Sequence, residues 1–383
     1  MKFLFIESLV IALIVIAGFV CRMKTKRWCK WLLSALVFFI SMRFLFIFVV
    51  CGEQIVSSAV PGFLVPLGGW CFAVVVVLAV EIVLWSVVRY SGQFVCCLLK
   101  RNCPAVWKNS GLVPMLVIAV LVSTAGIYYG TKMPDVHEIT IAIDGLPANA
   151  ENFRIVLATD LHTDNFADQN FIEKITDRIN SLSPDMIALT GDFSDGNIQE
   201  SAARLQPLKN LRAKYGVFAV PGNHEYFFSD FQYWRDIFQN LNITLLENNA
   251  AELPDTGLAV AGISDRAAKT HHALPPDVSA AISVANPEKN KVILLSHRPD
   301  RELIQDAADA GAVLQLSGHT HGGMILGFDR IVALSNGGYV RGSYRTGGLT
   351  IYVSPGTGIW HGFPFRLGIP AEITLIRLVS AGK

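Results

Sequence analysis

The sequence predicts two objects in one chain: a segment of four transmembrane helices over residues 1–134, then an α/β domain of layered sheets and helices over residues 135–383. Three observations carry that division. Of 383 residues, 52% are hydrophobic and only 16% charged, whereas a soluble domain is nearer one-quarter charged. Charge is split along the chain, with 12 Lys/Arg against 3 Asp/Glu before residue 135 and 20 against 28 after it. From residue 137 the long apolar runs give way to short strands alternating with amphipathic helices. Disorder is excluded by the apolar and aromatic content. No nucleic-acid partner is expected, because the second part lacks a basic patch.

Four apolar runs, at about 3–20, 31–51, 68–88 and 112–130, each approach the roughly 20 residues that span a hydrocarbon core. Arg22, Lys24, Lys26, Arg27 and Lys30 follow the first run, and Arg89, Lys100, Arg101 and Lys108 the third. The segment after the second run carries Glu53 and no basic residue. By the positive-inside rule the first and third loops are cytoplasmic, so both termini and the whole second part face the extracytoplasmic side. A cleaved signal peptide does not suit residues 1–20, which lack a small-x-small cleavage site and precede a basic block that resists translocation. Glu7, Arg43 and Glu81 lie within the runs, where charge is costly. Arg43 is expected to pair with Glu7 or Glu81; the alternative is a substrate or proton path. All seven cysteines (Cys21, Cys29, Cys51, Cys71, Cys96, Cys97 and Cys103) fall in this half, so the second part has no disulfide framework and no thiolate metal site.

In the second part, His137–Ile143 alternates with period two and reads as a strand. Phe153–Thr159 is a buried strand, and a helix follows from about Gln169 to Ser181 with Ile172, Ile175, Ile179 and Leu182 on one face. Met186–Thr190 and Val217–Val220 are strands, with a helix over Ala202–Leu211 between them. A helix around Phe231–Phe238 precedes strands at 243–246 and 257–262. Residues 264–288 read as loop and short helix. Lys291–Ser296, Val313–Ser317, Thr350–Val353 and Glu372–Leu378 complete the strands, and Arg301–Ala310 is helical.

Polar residues gather where these strands end. Asp160-Leu161-His162 follows the strand at 153–159, Gly191-Asp192 that at 186–190, and Gly222-Asn223-His224-Glu225 that at 217–220. His297 follows 291–296, and Gly318-His319-Thr320-His321-Gly322 follows 313–317. Open α/β sheets bind ligands at such ends. Asp, Asn and His without Cys suit Mn, Fe or Zn, and an aspartate shared by two cations suits displacement at phosphorus. Gly-Asp alone is worth nearly nothing as a signal; five such motifs in this order, each at a strand end, are very specific.

At these residues the chain resembles the calcineurin-like metallophosphoesterase superfamily, whose signature of D-x-H, G-D, G-N-H-[DE], a lone His and G-H-x-H is complete here. The likeness is closer to its membrane-tethered or exported phosphodiesterases, through Leu295–Asp300, Leu316–Gly323 and Ser354–Trp360, with Pro364, Arg366, Pro370 and Glu372. It covers the second part and none of the first. The resemblance implies a layered β-sandwich flanked by helices and two divalent metal ions, Mn, Fe or Zn. One ion would be held by Asp160, His162, Asp192 and His321, the other by Asp192, Asn223, His297 and His319, with Asp192 as the bridge. His224 would be the catalytic residue, stabilising the phosphoryl charge or protonating the leaving group. Hydrolysis would proceed by attack of a metal-bridging hydroxide.

Arg366 and His361 are further candidates for substrate contact, since an Arg fork suits phosphate. His271 and His272 read as a solvated loop. The expected function is a membrane-anchored phosphodiesterase, with the bilayer as partner and a lipid or lipid-linked phosphodiester as the natural substrate class. The alternatives are a phosphomonoesterase or pyrophosphatase with the same site, or a membrane transport or binding protein with a regulatory phosphoesterase domain.

Overall fold

The computed structural model describes residues 2–46, 61–102, 111–196, 198–227, 231–360 and 362–382. They divide into a helical unit, which runs to Tyr128 and includes Gly362–Phe365, and a second unit that holds most of the chain from Tyr129 onward.

The helical unit contains helices over Lys2–Gly18, Arg27–Ser41, Leu64–Leu98 and Leu112 onward to Thr131. Among the described residues three segments, not four, are long and apolar enough to cross a membrane: Phe5–Arg22, Leu64–Leu98 and Leu112–Thr131. In the second expected run the helix Arg27–Ser41 has 15 residues, about 22 Å at the helical rise; helical backbone resumes at 43–46, and positions 47–51 of that run lie outside the described residues. The third is longer than expected, at 35 residues. Val15, Val75, Leu78, Ala79, Ile82 and Ala119 form the apolar interior of this unit. The expected ion pair of Arg43 with Glu7 or Glu81 is not formed among the described residues. Its guanidinium instead lies 4.6 and 4.5 Å from the ring centroids of Phe44 and Phe72, where the ring quadrupoles replace a carboxylate.

The second unit holds two six-stranded sheets. β1 (Asp135–Ile143), β2 (Arg154–Ala158), β3 (Met186–Leu189), β4 (Val217–Ala219) and β5 (Thr244–Leu245) join the C-terminal strand β12 (Glu372–Ser380) in the order β1-β12-β2-β3-β4-β5. β6 (Asn249–Leu253), β7 (Leu258–Gly262), β8 (Lys291–Leu295), β9 (Ala312–Ser317), β10 (Gly342–Thr346) and β11 (Leu349–Val353) form the other, in the order β10-β11-β9-β8-β7-β6. Pairing is parallel from β2 through β5 and from β7 through β8 and β9 to β11. Antiparallel pairs β12–β2, β6–β7 and β10–β11 make both sheets mixed.

Strand periodicity explains the layers, since successive side chains point to opposite faces. Ile155 and Leu157, Met186 and Ala188, Leu258 and Val260, Ile293 and Leu295, and Leu314 and Leu316 share one core between the sheets. Their neighbours in the chain go outward. Val156, Ala158, Ile187 and Leu189 meet Ile172, Ile175 and Ile179 of the helix Gln169–Ser181. Ala259, Ala261, Val292 and Leu294 meet Ala281, Ile282, Ile304 and Ala307 on the opposite side. Asp168, Asp277 and Asp300 cap the N-termini of the covering helices by accepting from backbone N–H groups, which satisfies donors a helix leaves open.

Every expected strand is present within a few residues. The helix expected over 202–211 ends at Arg204 and continues as a 3-10 turn, Gln206–Asn210, because Pro207 has no N–H to extend the ladder. β6, β10 and a helix at Asp329–Ser335 were not expected.

Candidate metal centre

The loops after β2, β3, β4, β8 and β9 bring the motif residues together. Five of them hold the left-handed backbone: Asp160 (φ 55°), His162 (46°), Asp192 (54°), His319 (69°) and His321 (48°). Each such residue costs of order 1–3 kcal/mol, and strain of this kind collects at functional sites. Backbone hydrogen bonds hold it in place. Asp160 N–H donates to Gly191 O at 2.9 Å, His162 N–H to Asp192 O at 3.0 Å and Gly318 N–H to His297 O at 2.9 Å. The Asp160 carboxylate accepts from His319 N–H at 3.1 Å and from the Thr159 hydroxyl at 2.8 Å.

Glycines stand where a Cβ has no room. One at Gly318 would strike the side chains of Thr159 and Asp160, and one at Gly222 would strike Asp192. Chain segments can therefore meet closely around the carboxylates.

Three groups of ligand atoms result: Asp160 with His162 and His321, His162 with Asp192 and His224, and Asp192 with His297 and His319. Asp192 belongs to two of them, its Oδ2 3.2 Å from His297 Nε2, 3.7 Å from His162 Nε2 and 3.9 Å from His224 Nε2. The Asn223 amide oxygen is 3.2 Å from His297 Nε2. Ring nitrogens converge in pairs: His162 Nε2 on His321 Nε2, and His319 Nδ1 on His297 Nε2, both at 3.2 Å. Burial, with the neighbouring imidazoles His162 and His297, holds the pKa values of His321 and His319 well below the usual range, so both rings are neutral. His297 differs: burial opposes its charge, but Asp192 pushes it up to about 10, so ligation there would require it to release a proton, whereas His319 and His321 are already neutral as metal ligation requires. The donor set is oxygen and nitrogen throughout. These residues fit a pair of borderline divalent ions.

Two buried carboxylates complete the site, and sequence reasoning had given neither a role. Asp195 Oδ1 lies 3.0 Å from His162 Nδ1 and also against His224 Nδ1, so one oxygen orients both rings. Burial opposes its charge, yet His162 and His224 outweigh burial and hold its carboxyl well below the usual range. Burial likewise opposes charge on His224, but Asp192 and Asp195 together push it up to about 9. Glu225 accepts from the backbone N–H groups of Phe193 (2.8 Å), Asp192 (2.9 Å) and Gly222 (2.7 Å), clamping the β3 and β4 loops together. Burial, reinforced by Asp192, lifts its pKa to about 7 against the pull of those donors. On the other flank His297 Nδ1 donates to Thr190 O at 2.7 Å, which turns Nε2 toward Asp192.

Arg366 is placed differently from expectation. It is fully buried, and its guanidinium donates to the carbonyls of His321 (3.2 Å), Pro355 (2.7 Å) and Gly358 (2.9 Å). Its fork is spent on three loop carbonyls, so it ties those loops and has no surface to offer a phosphate. His361 lies outside the described residues. The His271 ring comes 5.8 Å from that of Phe227, which is itself 5.4 Å from His224.

Comparison with known proteins agrees with this geometry. The family description "Calcineurin-like phosphoesterase" matches residues 153–323. An uncharacterized metallophosphoesterase of Helicobacter pylori is 35% identical over 260 residues, 67% of each chain. One from Campylobacter jejuni is 33% identical over 265 residues, 69% of this chain and 68% of that one. A Danio rerio protein named "Transmembrane protein with metallophosphoesterase domain" is 29% identical over 278 residues, 70% of this chain and 62% of that one. Family membership makes a metal-dependent phosphoester hydrolase of the clustered carboxylates and imidazoles, and the chain belongs to the calcineurin-like metallophosphoesterases.

Proposed function

We propose that this chain is a membrane-anchored dimetal phosphodiesterase acting at the extracytoplasmic lipid surface. The observation that carries the proposal is Asp192, shared by two groups of candidate ligands with His224 beside it. In this reading Asp160, His162, Asp192 and His321 hold one ion, and Asp192, Asn223, His297 and His319 hold the other. When bound, the pair supplies an activated water and positive charge for the phosphoryl oxygens.

The chain's own residues do the rest. Asp195 fixes the His224 ring and keeps it protonated, so His224 can hydrogen-bond a phosphoryl oxygen or give its proton to the departing oxygen. Glu225 holds the two loops that position Asp192 and Asn223. Arg366 holds the His321 loop in register.

Diester specificity and a lipid substrate are supported by the three apolar segments and by the likeness of Ser354–Trp360 to membrane-tethered phosphodiesterases. The test uses the full chain in lipid nanodiscs with an activated diester and the matching monoester. The proposal expects diester turnover to exceed monoester turnover by about tenfold or more, a difference of about 1.4 kcal/mol in activation free energy. A preference for the monoester would replace the diester reading with a phosphomonoesterase.

A further inference from the structure

We infer that residues 323–335 form a membrane-docking segment that seats the loop of His319 and His321 on a lipid surface. The inference rests on the membrane-anchored reading for its occupant and not on the reaction.

The segment leaves the site loop directly. Gly322, Gly323 and Met324 all take positive φ, of 64°, 77° and 58°, which turns the chain outward. It is then fixed: Leu326 N–H donates to Leu367 O and Leu367 N–H to Met324 O, both at 2.9 Å. The preceding residue of that strap, Arg366, donates to the His321 carbonyl. Whatever binds the segment therefore acts on a piece of chain tied to the metal loop.

Its polarity is inverted relative to an ordinary surface helix, which buries its apolar face. Phe328, Ile331 and Leu334, at three-residue spacing, are 48%, 56% and 84% exposed, and Leu326 is 64% exposed. The single acid of the segment is turned inward. Asp329 accepts from Gly327 N–H at 2.8 Å and pairs with Arg341 at 3.3 Å, leaving it 6% exposed. Arg330 faces outward. After residue 135, eight large apolar side chains are exposed among the described residues, and four of them lie in these few positions. Single exposed apolar residues are ordinary, but a contiguous group marks an interaction surface.

A bilayer is the occupant the chain itself argues for. The last candidate span ends at Thr131, and β1 begins at Asp135, so only three residues of chain connect the span to the domain's first strand. Large apolar groups with an outward Arg and no exposed carboxylate match an interfacial insertion, the cation meeting anionic headgroups.

The test reconstitutes the full chain in phosphatidylcholine–phosphatidylglycerol vesicles with one introduced thiol, Leu334→Cys or Phe328→Cys. Val284→Cys serves as control, being 55% exposed on the helix Val278–Ala285, outside the segment. All native cysteines precede residue 104, so a proteolytic fragment beginning after residue 135 reports the introduced thiol alone. The expected result is that Leu334→Cys and Phe328→Cys react with a water-soluble maleimide about tenfold slower than Val284→Cys, as burial in an interface implies. Their fluorescent adducts should also be quenched by nitroxide lipids. Equal rates without quenching would overturn the inference while a carbonate-resistant chain left the anchored reading standing. Protection with cross-linking between copies and no quenching would overturn it in favour of self-association. Release of the wild-type chain by carbonate would remove both.

Discussion

Asp195 decides how the site's proton chemistry is arranged, because a single buried oxygen orients both a candidate ligand, His162, and the candidate acid, His224. Asp195→Asn is expected to lower kcat/KM and metal affinity about 10–100-fold, the usual cost of losing a carboxylate that orients a liganding histidine. It should also move the alkaline limb of the pH profile. His224 loses its proton as pH rises through about 9, so turnover of a substrate with a poor leaving group falls there. Ions bound at Asp192 would draw that carboxylate away from His224 and bring the limb lower, and Asp195→Asn should bring it lower still. A mutant with unchanged pH profile and unchanged metal content would remove Asp195 from this role. The ligand-type residues were legible in the sequence because each sits in a short motif at the end of an apolar strand. Asp195 was not, since an Asp three positions after Gly191-Asp192 reads as loop polarity. The burial of Arg366 was not legible, because sequence gives the charge of a side chain and not its surroundings.

At the level of elements, the two sheets exist to bring loop ends together, and the tightest meeting is between the β2 and β9 loops at Gly318. Gly318→Ala is expected to cost about 1–3 kcal/mol of stability through overpacking and to lower metal content by displacing Asp160, measured by chemical denaturation and by elemental analysis of purified protein. Normal metal content and stability would mean that the two loops are less constrained than their contacts imply. The parallel strands were readable as continuous apolar runs, because both of their faces are buried. β6 and β10 were not readable. Asn249–Leu253 and Gly342–Thr346 are edge strands with few fully buried side chains, so no run or clean alternation marks them. The helix Asp329–Ser335 escaped for a related reason: its apolar residues face outward and its acid faces inward.

The whole molecule joins an apolar, basic half to an acidic hydrolase, and in the sequence the charge balance, the apolar runs and the onset of strand–helix alternation all change near the same place. The number of spans was less legible. Composition showed an apolar run at 31–51, but among the described residues its helix is interrupted at Met42, which only the backbone could show. We propose the extracytoplasmic side from the basic residues at 22–30 and 89–108 under the positive-inside rule. A C-terminal tag on the full chain in intact cells is expected to react with impermeant reagents; protection until the membrane is permeabilised would reverse the orientation. The most direct test of the central claim is metal-dependent turnover by the purified full chain. After chelation, activity on an activated phosphodiester should be lost and should return with Mn, Fe or Zn near two ions per chain, while Asp192→Asn binds fewer ions and loses at least about 10²-fold in kcat. Full activity in the chelated wild type, or in Asp192→Asn, would contradict a dimetal site bridged by that carboxylate.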